Sequence, residues 1–397
     1  MRFMTAGESH GPMLVGILEG MPAGLAIDMD RVQSDCDRRR SGYGRGARTT
    51  KIESDTIEVV SGLRGGLTLG SPIALLIANK DWKNWKSVMN PTGKAAGREV
   101  FRPRPGHADL AGRYKYGFGD LRNALERASA RETAMRTALG GLARQYLEVF
   151  GVDLLSHVVQ LGGVEAKPVT GLAGATLPGV LARLRREVEA SPVRCADQAA
   201  GKRMVTRIEA ARAAGDTLGG VVEVLVTGLK PGLGAYTHWD QKLDGKLAQA
   251  LMSIPAIKGV EIGLGFAASA KLGTEVHDPI VPATGKAAST RYRRTGNNAG
   301  GLEGGVTNGE PLVLRAAMKP ISTTMKGLPS VDIRTGKPDT SQVERSDVCA
   351  LPAAGVVAEA VTALVLADAW AAKFGGDTID DTKAAVAAYA KLLKSAR

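Results

Sequence analysis

The chain has 397 residues, of which 44% are hydrophobic, 23% charged and only 4% aromatic. That balance excludes a disordered polar chain and leaves a large core to be built from Ala, Val, Leu and Ile. A formal net charge of +12 calls for an anionic partner. The arginines stand in short motifs beside Gly, Ser and His without interleaved aromatics, which favours small anions over nucleic acid.

From the N-terminus, MRFMTAGE lacks the apolar stretch of a signal peptide. Cys36, Cys195 and Cys349 are far apart without CxxC, and the histidines show no HExxH, so neither a disulfide framework nor a metal site is expected. A reducing cytoplasm is the consistent compartment. GESHG at 7–11 fits the G-x-S-x-G of a nucleophile elbow, which makes a serine hydrolase the rival reading. A strand-like stretch over 13–20 follows it where the elbow needs a helix. The reading adopted is a glycine turn that presents Ser9 and His10 to a ligand.

A helical pattern over 30–40 runs into RRRSGYGRGAR at 38–48, a glycine-hinged arginine cluster with few acids nearby, suited to bidentate capture of carboxylate or phosphate. A short strand is expected over 56–60. RPRPGHAD at 102–109 fixes His107 in a Pro/Gly frame beside two arginines. Periodicity predicts one long helix over 120–150, with Arg127 and Arg131 on one face. The run 221–226 reads as a strand buried on both faces, 240–253 as a helix and 259–263 as a strand. GLGFAA at 263–268 matches GxGxxA, but its preceding strand is too short for a dinucleotide fold. Gly300–Gly309 leads to Lys319, Pro320, Ile321, Ser322 and Thr323, whose backbone N–H groups, hydroxyls and ammonium can cradle a phosphate. Arg345, Ser346 and Asp347 precede a second long helix over 355–374, apolar but carrying Glu359 and Asp368, which reads as buried in protein and not in a membrane.

The chain also resembles itself. Residues 61–80 and 300–319 align without a gap, sharing Gly62, Leu63, Gly65, Gly66, Thr68, Gly70, Pro72, Leu75, Ala78 and Lys80. Residues 7–25 lie over 215–233 in the same way. Two copies of one unit, about 7–151 and 215–376, are expected within a single domain spanning 1–397. The class expected is α+β, with two mostly antiparallel sheets enclosing long helices as a β-α-β sandwich.

Taken in order, GESHG, RRRSGYGRG, RPGHADL, RASARETA, DTLGGVVE, GLEGGVTNG, KPIST and RSDVCA resemble the chorismate synthase family from about residue 5 to 375. The resemblance implies a carbon–oxygen lyase of the shikimate pathway. It would eliminate phosphate from 5-enolpyruvylshikimate 3-phosphate by an anti-1,4 route, using reduced FMN, in a homotetramer arranged as a dimer of dimers. It places Arg39, Arg45, Arg48, Arg104 and Arg131 on the substrate. It gives catalytic roles to His10, at the leaving phosphate, and to His107, near flavin N1. Asp347 would act near N5, and Ser9 and Ser129 would relay protons. Flavin contacts are implied for Arg127, Ala128, Ser129, Pro255, Ala256, Gly304, Lys319, Pro320, Ile321, Ser322, Thr323 and Arg345. Pro255 stands where many relatives carry Asn or Gln. Arg39 and Arg45 are also connected with NADPH, which enters if the enzyme reduces its own flavin.

Overall fold

The computed structural model describes residues 1–46, 55–169, 177–283, 290–344 and 346–395. Two antiparallel sheets organise the chain. The first comprises β1 (Arg2–Ala6), β2 (Met13–Glu19), β3 (Ile57–Ser61) and β4 (Ile73–Ala78), side by side in the order β1-β2-β4-β3. The second comprises β5 (Asp153–Leu161), β6 (Val164–Glu165), β7 (Gly220–Thr227), β8 (Ile257–Ile262) and β9 (Leu312–Met318), in the order β8-β9-β7-β5-β6.

The helices α1 (Met29–Arg40), α2 (Asp109–Tyr116), α3 (Arg122–Arg127), α4 (Thr133–Glu148), α5 (Leu177–Glu189), α6 (Gln198–Ala213), α7 (Leu243–Met252), α8 (Leu351–Phe374) and α9 (Ile379–Ser395) surround and separate these sheets. α4 packs on β2 and β4, α8 packs on β5 and β7, and the two helices pack on each other. Their close approach depends on Gly140, where a Cβ would stand only 2.4 Å from the Cβ of Ala360. By length and apolarity α8 could cross a membrane, yet 89% of its most apolar window is buried within the protein. Its one buried carboxylate, Glu359, accepts from Arg38 (3.1 Å), Arg144 (3.2 Å) and the backbone N–H of Ser156 (2.7 Å). Burial alone pushes the Glu359 carboxyl up, but Arg38, Arg144 and Arg194 together pull it far below the usual range.

The sheets share more than their direction. Strand order β1-β2-β4-β3 is matched by β5-β7-β9-β8, and Gly16 pairs with Leu75 as Val224 pairs with Leu314. In the hairpin over 63–68, the Thr68 hydroxyl donates to Pro22 O (2.6 Å) and accepts from Leu25 N–H (2.9 Å). In the hairpin over 302–307, the Thr307 hydroxyl donates to Lys230 O (2.7 Å) and accepts from Leu233 N–H (2.8 Å).

Two expectations need correction. The pattern over 120–150 is not one helix. Ser129 is extended (φ −67°, ψ 140°) and its hydroxyl accepts from Arg131 N–H, so the chain breaks between α3 and α4. Arg127 and Arg131 therefore do not share a face. The arginine cluster is also less free than its local composition suggests. Arg38 meets Asp35, Glu189 and Glu359, and Arg40 meets Asp37 at 2.6 Å, acids that either share the helix or come from far along the chain.

Candidate functional site

A cavity of about 930 Å³ opens where the start of α4, the start of α8, the turn after β1 and the segment after β9 converge. Ser9 and His10 enter it from the turn between β1 and β2. The His10 ring stacks on Trp85, with centroids 3.7 Å apart and planes 25° from parallel. Its Nδ1 lies 2.8 Å from the buried carboxylate of Glu126, which also accepts from Arg122 (3.0 Å). Desolvation pushes the Glu126 carboxyl up, but its bonds to His10 and Arg122 prevail and hold it below the ordinary range. The context of a nucleophile elbow is missing: strand β2, not a helix, follows the turn, and His10 is committed to Glu126. The Ser9 hydroxyl accepts from Ser129 Oγ at 3.2 Å. The serine hydrolase reading is set aside on those grounds.

The rigid RPRPGHAD segment brings a second histidine to the cavity. His107 Nδ1 lies 2.6 Å from Asp109, and the same carboxylate receives Arg104 Nε at 2.9 Å. Asp109 is buried; desolvation opposes its charge, but His107 and Arg104 outweigh it and hold the carboxyl well below the usual range. Arg104 also donates to the Thr323 hydroxyl at 3.1 Å, which ties this loop to the KPIST segment.

Arg39 and Arg131 are buried on the same wall and converge on Asp55. Arg39 donates in addition to the Thr133 hydroxyl (3.0 Å) and Ala130 O (2.9 Å), so its fork is fixed before any ligand arrives. Asp55 itself has φ +43°, a left-handed conformation uncommon for a side-chain-bearing residue. Arg45 pairs with Asp347 at 2.5 Å, and Asp347 also accepts from Gly46 N–H at 2.6 Å.

Apolar side chains complete the lining: Ile254, Pro255, Ala256, Met318, Ala353, Ala354 and Val357. Ala256 holds φ +71° in the turn between α7 and β8, and its carbonyl accepts from Lys319 N–H at 2.9 Å. At the rim Lys319 Nζ donates to Gly106 O and to the Ser322 hydroxyl (3.0 Å). Partial burial and the nearby Lys258 lower the affinity of this amine for its proton.

Ser9, His10, Arg39, Arg45, Arg104, His107, Ala128, Ser129, Arg131, Pro255, Ala256, Lys319, Ile321, Ser322, Thr323 and Asp347 thus line one cavity. Arg48 and Arg345 lie outside the described residues. Arg127, Gly304 and Pro320 are not on the lining. Arg127 instead donates to Gly7 O and Thr5 O, a consequence of the break at Ser129, and Gly304 sits in the 302–307 hairpin beside Tyr236. The sequence reading missed Trp85, Arg98 and Arg122 on the lining, and Asp55 and Glu126 behind it. Glu126 had a signal, since it directly precedes RASARETA. Trp85 had little, standing in the polar run KDWKNWK.

The model of the family described as Chorismate synthase matches residues 1–371. Chorismate synthase of Symbiobacterium thermophilum is 55% identical over 388 residues, covering 96% of each chain. That of Moorella thermoacetica is 55% identical over 395 residues, covering 99% of each. A solved structure described as "Crystal Structure of Chorismate Synthase" superposes with a TM-score of 0.79 at 40% identity, covering 99% of this chain and 98% of the other. With GESHG, RPGHADL, RASARETA, KPIST and RSDVCA contributing to one cavity and likeness along its whole length, this chain belongs to the chorismate synthase family.

Proposed function

We propose that the cavity converts 5-enolpyruvylshikimate 3-phosphate to chorismate by anti-1,4-elimination of phosphate, in the shikimate pathway and with reduced FMN. The observation that carries this reading is the pairing, on one cavity lining, of buried arginines with apolar side chains. A substrate with one phosphate and two carboxylates needs the first, and a flat heteroaromatic ring needs the second. A volume of about 930 Å³ leaves room for both side by side.

In this reading Arg39, Arg45, Arg48, Arg104 and Arg131 hold the substrate's anionic groups. Ala128, Ser129, Pro255, Ala256 and Lys319 through Thr323 hold the flavin. Pro255 lacks a side-chain amide, so only its backbone and ring serve. Reduced FMN, when bound, supplies the electron density that cleavage of a weakly acidic C–H bond requires. His10 hands a proton to the departing phosphate. His107, oriented by Asp109, holds a proton or hydrogen bond near flavin N1, and Asp347 takes up a proton near N5 once it separates from Arg45. Ser9 and Ser129, already hydrogen-bonded, relay protons between these groups. Arg39 and Arg45, anchored by Asp55 and Asp347, are assigned to the substrate, and would also meet NADPH if the enzyme reduces its own flavin.

The chain is further read as one domain, a β-α-β sandwich grown from two copies of a unit, 7–151 and 215–376. Matched strand order and matched threonine bonds support it. It assembles as a homotetramer in the cytoplasm. Met4 and Ile17 on the outer face of the first sheet are 67% and 41% exposed, whereas their counterparts Leu155 and Leu225 are buried with Leu181 and Leu184 of α5. A second copy would cover what α5 covers elsewhere.

Incubating the purified chain anaerobically with the substrate and chemically reduced FMN tests the reading. Chorismate and phosphate should appear in equal amounts. Neither product under these conditions would refute it, and a parallel aerobic arm with FMN and NADPH decides whether the flavin is reduced by this enzyme.

A further inference from the structure

Glu126 grips the Ser9–His10 turn by four bonds. Its backbone carbonyl accepts from Ser9 N–H at 3.1 Å, and its carboxylate accepts from His10 N–H at 2.8 Å. Both carboxylate oxygens reach His10 Nδ1, at 2.8 and 2.9 Å. Arg122, one helical turn back on α3, fixes the carboxylate from the other side, and is itself anchored by donating to Arg98 O at 2.5 Å. Glu126 is held below the ordinary carboxylate range, so it is ionised at neutral pH and can only accept.

An acceptor at Nδ1 dictates where the imidazole keeps its proton. Neutral His10 must be the Nδ1–H tautomer, which leaves Nε2 as the ring nitrogen available to the cavity that His10 lines. The ring is also prevented from turning over. Trp85 covers one face, its own Nε1–H donates to Asp81 at 2.9 Å, and the guanidiniums of Arg98 and Arg122 lie 4.4 and 5.2 Å from the Trp85 ring centre.

We propose that Glu126 is a positioning residue that fixes His10 as the Nδ1–H tautomer and aims Nε2 at the leaving phosphate, with Trp85 setting the plane of the ring. This rests on the reading of His10 as the proton donor. In that step the C–O bond breaks and its electron pair leaves on the phosphate oxygen, which takes the proton from Nε2 of the imidazolium. The N–H bond at Nε2 is lost, the O–H bond on phosphate is formed, and His10 is left as the neutral form whose remaining Nδ1–H Glu126 accepts. Glu126 thus suits His10 both before and after the transfer without exchanging a proton itself.

The test compares Glu126→Gln, Glu126→Asp and His10→Ala by two readouts. The first is the ring-nitrogen NMR spectrum of protein labelled with ¹⁵N-histidine; the chain has five histidines, and His10→Ala identifies the signals of interest. The second is kcat and KM with reduced FMN. Wild type should show the Nδ1–H tautomer in neutral His10. Glu126→Gln should show a mixture or the Nε2–H form, with kcat lower by roughly 10- to 100-fold and KM within about twofold. Glu126→Asp keeps the acceptor charge, so it should retain the tautomer and lie between the two in rate; should Glu126→Gln not fold, this variant carries the test. An unchanged tautomer in Glu126→Gln, whatever its rate, overturns the proposal while leaving the His10 reading intact. Near-native turnover in His10→Ala instead overturns the reading beneath it, even if the tautomer shifts as expected.

Discussion

The two long helices that meet at the cavity begin with opposite chemistry. Where α4 begins, the first half offers Ser129, Arg131 and Thr133; where α8 begins, the second half offers Ala350, Ala353, Ala354 and Val357. Behind these ends the scaffolds agree to the level of single hydrogen bonds, as Thr68 and Thr307 show. The contrast teaches that two helix ends packed side by side can differ wholly in the chemistry they offer. Ligand chemistry is then decided by a few residues at or just before the start of each. The lining thereby holds both charged and apolar side chains, and an anion and a flat ring can each find their own.

The largest expected effect concerns the joint between the halves. Glu359 on α8 binds Arg38 on α1 and Arg144 on α4, so Glu359→Gln should cost about 3–5 kcal/mol in denaturant unfolding by leaving buried guanidiniums underpaired. The pH dependence carries the sign. A carboxyl held far below its ordinary value contributes stability that is complete above the unfolded value of 4.5 and is lost as pH falls toward the folded one. Wild type should therefore lose its advantage over Glu359→Gln in acid, and the two stabilities should converge. A constant gap between them from neutral pH down through that window would show that the charge is not what joins the halves.

A smaller effect tests whether the scaffolds are equivalent. Thr68→Val and Thr307→Val each strip one buried hydroxyl of its donor and acceptor roles, and each should destabilise the protein by about 1–3 kcal/mol. Similar losses for the two would sharpen the comparison. A loss at one site and none at the other would break it. Since neither threonine lines the cavity, KM should stay within about twofold for each variant.

Much of this was legible in the sequence, for physical reasons. Glycine spacing carried the likeness of 61–80 to 300–319, because Gly62, Gly65, Gly66 and Gly70 and their counterparts Gly301, Gly304, Gly305 and Gly309 all hold positive φ in the two hairpins. The helix at 351–374 was visible from its unbroken apolarity, short of its first four residues. What the sequence hid depended on distance in space. The partners of Arg38 and Arg39 lie 321 and 94 residues away at Glu359 and Thr133, so a local count of acids could not tell which arginines were free to face a ligand. The break at Ser129 was hidden differently. Its side-chain oxygen competes with the helix for a backbone N–H, and hydrophobic periodicity is blind to that bond. This is why Arg127 and Arg131 were expected on one face, although Arg127 points to the β1 end of the Ser9 turn.

The pairing of charged and apolar side chains on the cavity lining is tested most directly by titrating FMN into Arg131→Ala and Ala354→Phe and measuring its dissociation constant in each. The account predicts that Ala354→Phe, which enlarges an apolar side chain of the lining, weakens FMN at least about tenfold, a cost of about 1.4 kcal/mol, while Arg131→Ala leaves it within about twofold. Normal FMN binding to Ala354→Phe together with its loss in Arg131→Ala would contradict the account, because the flavin would then belong to the charged side chains.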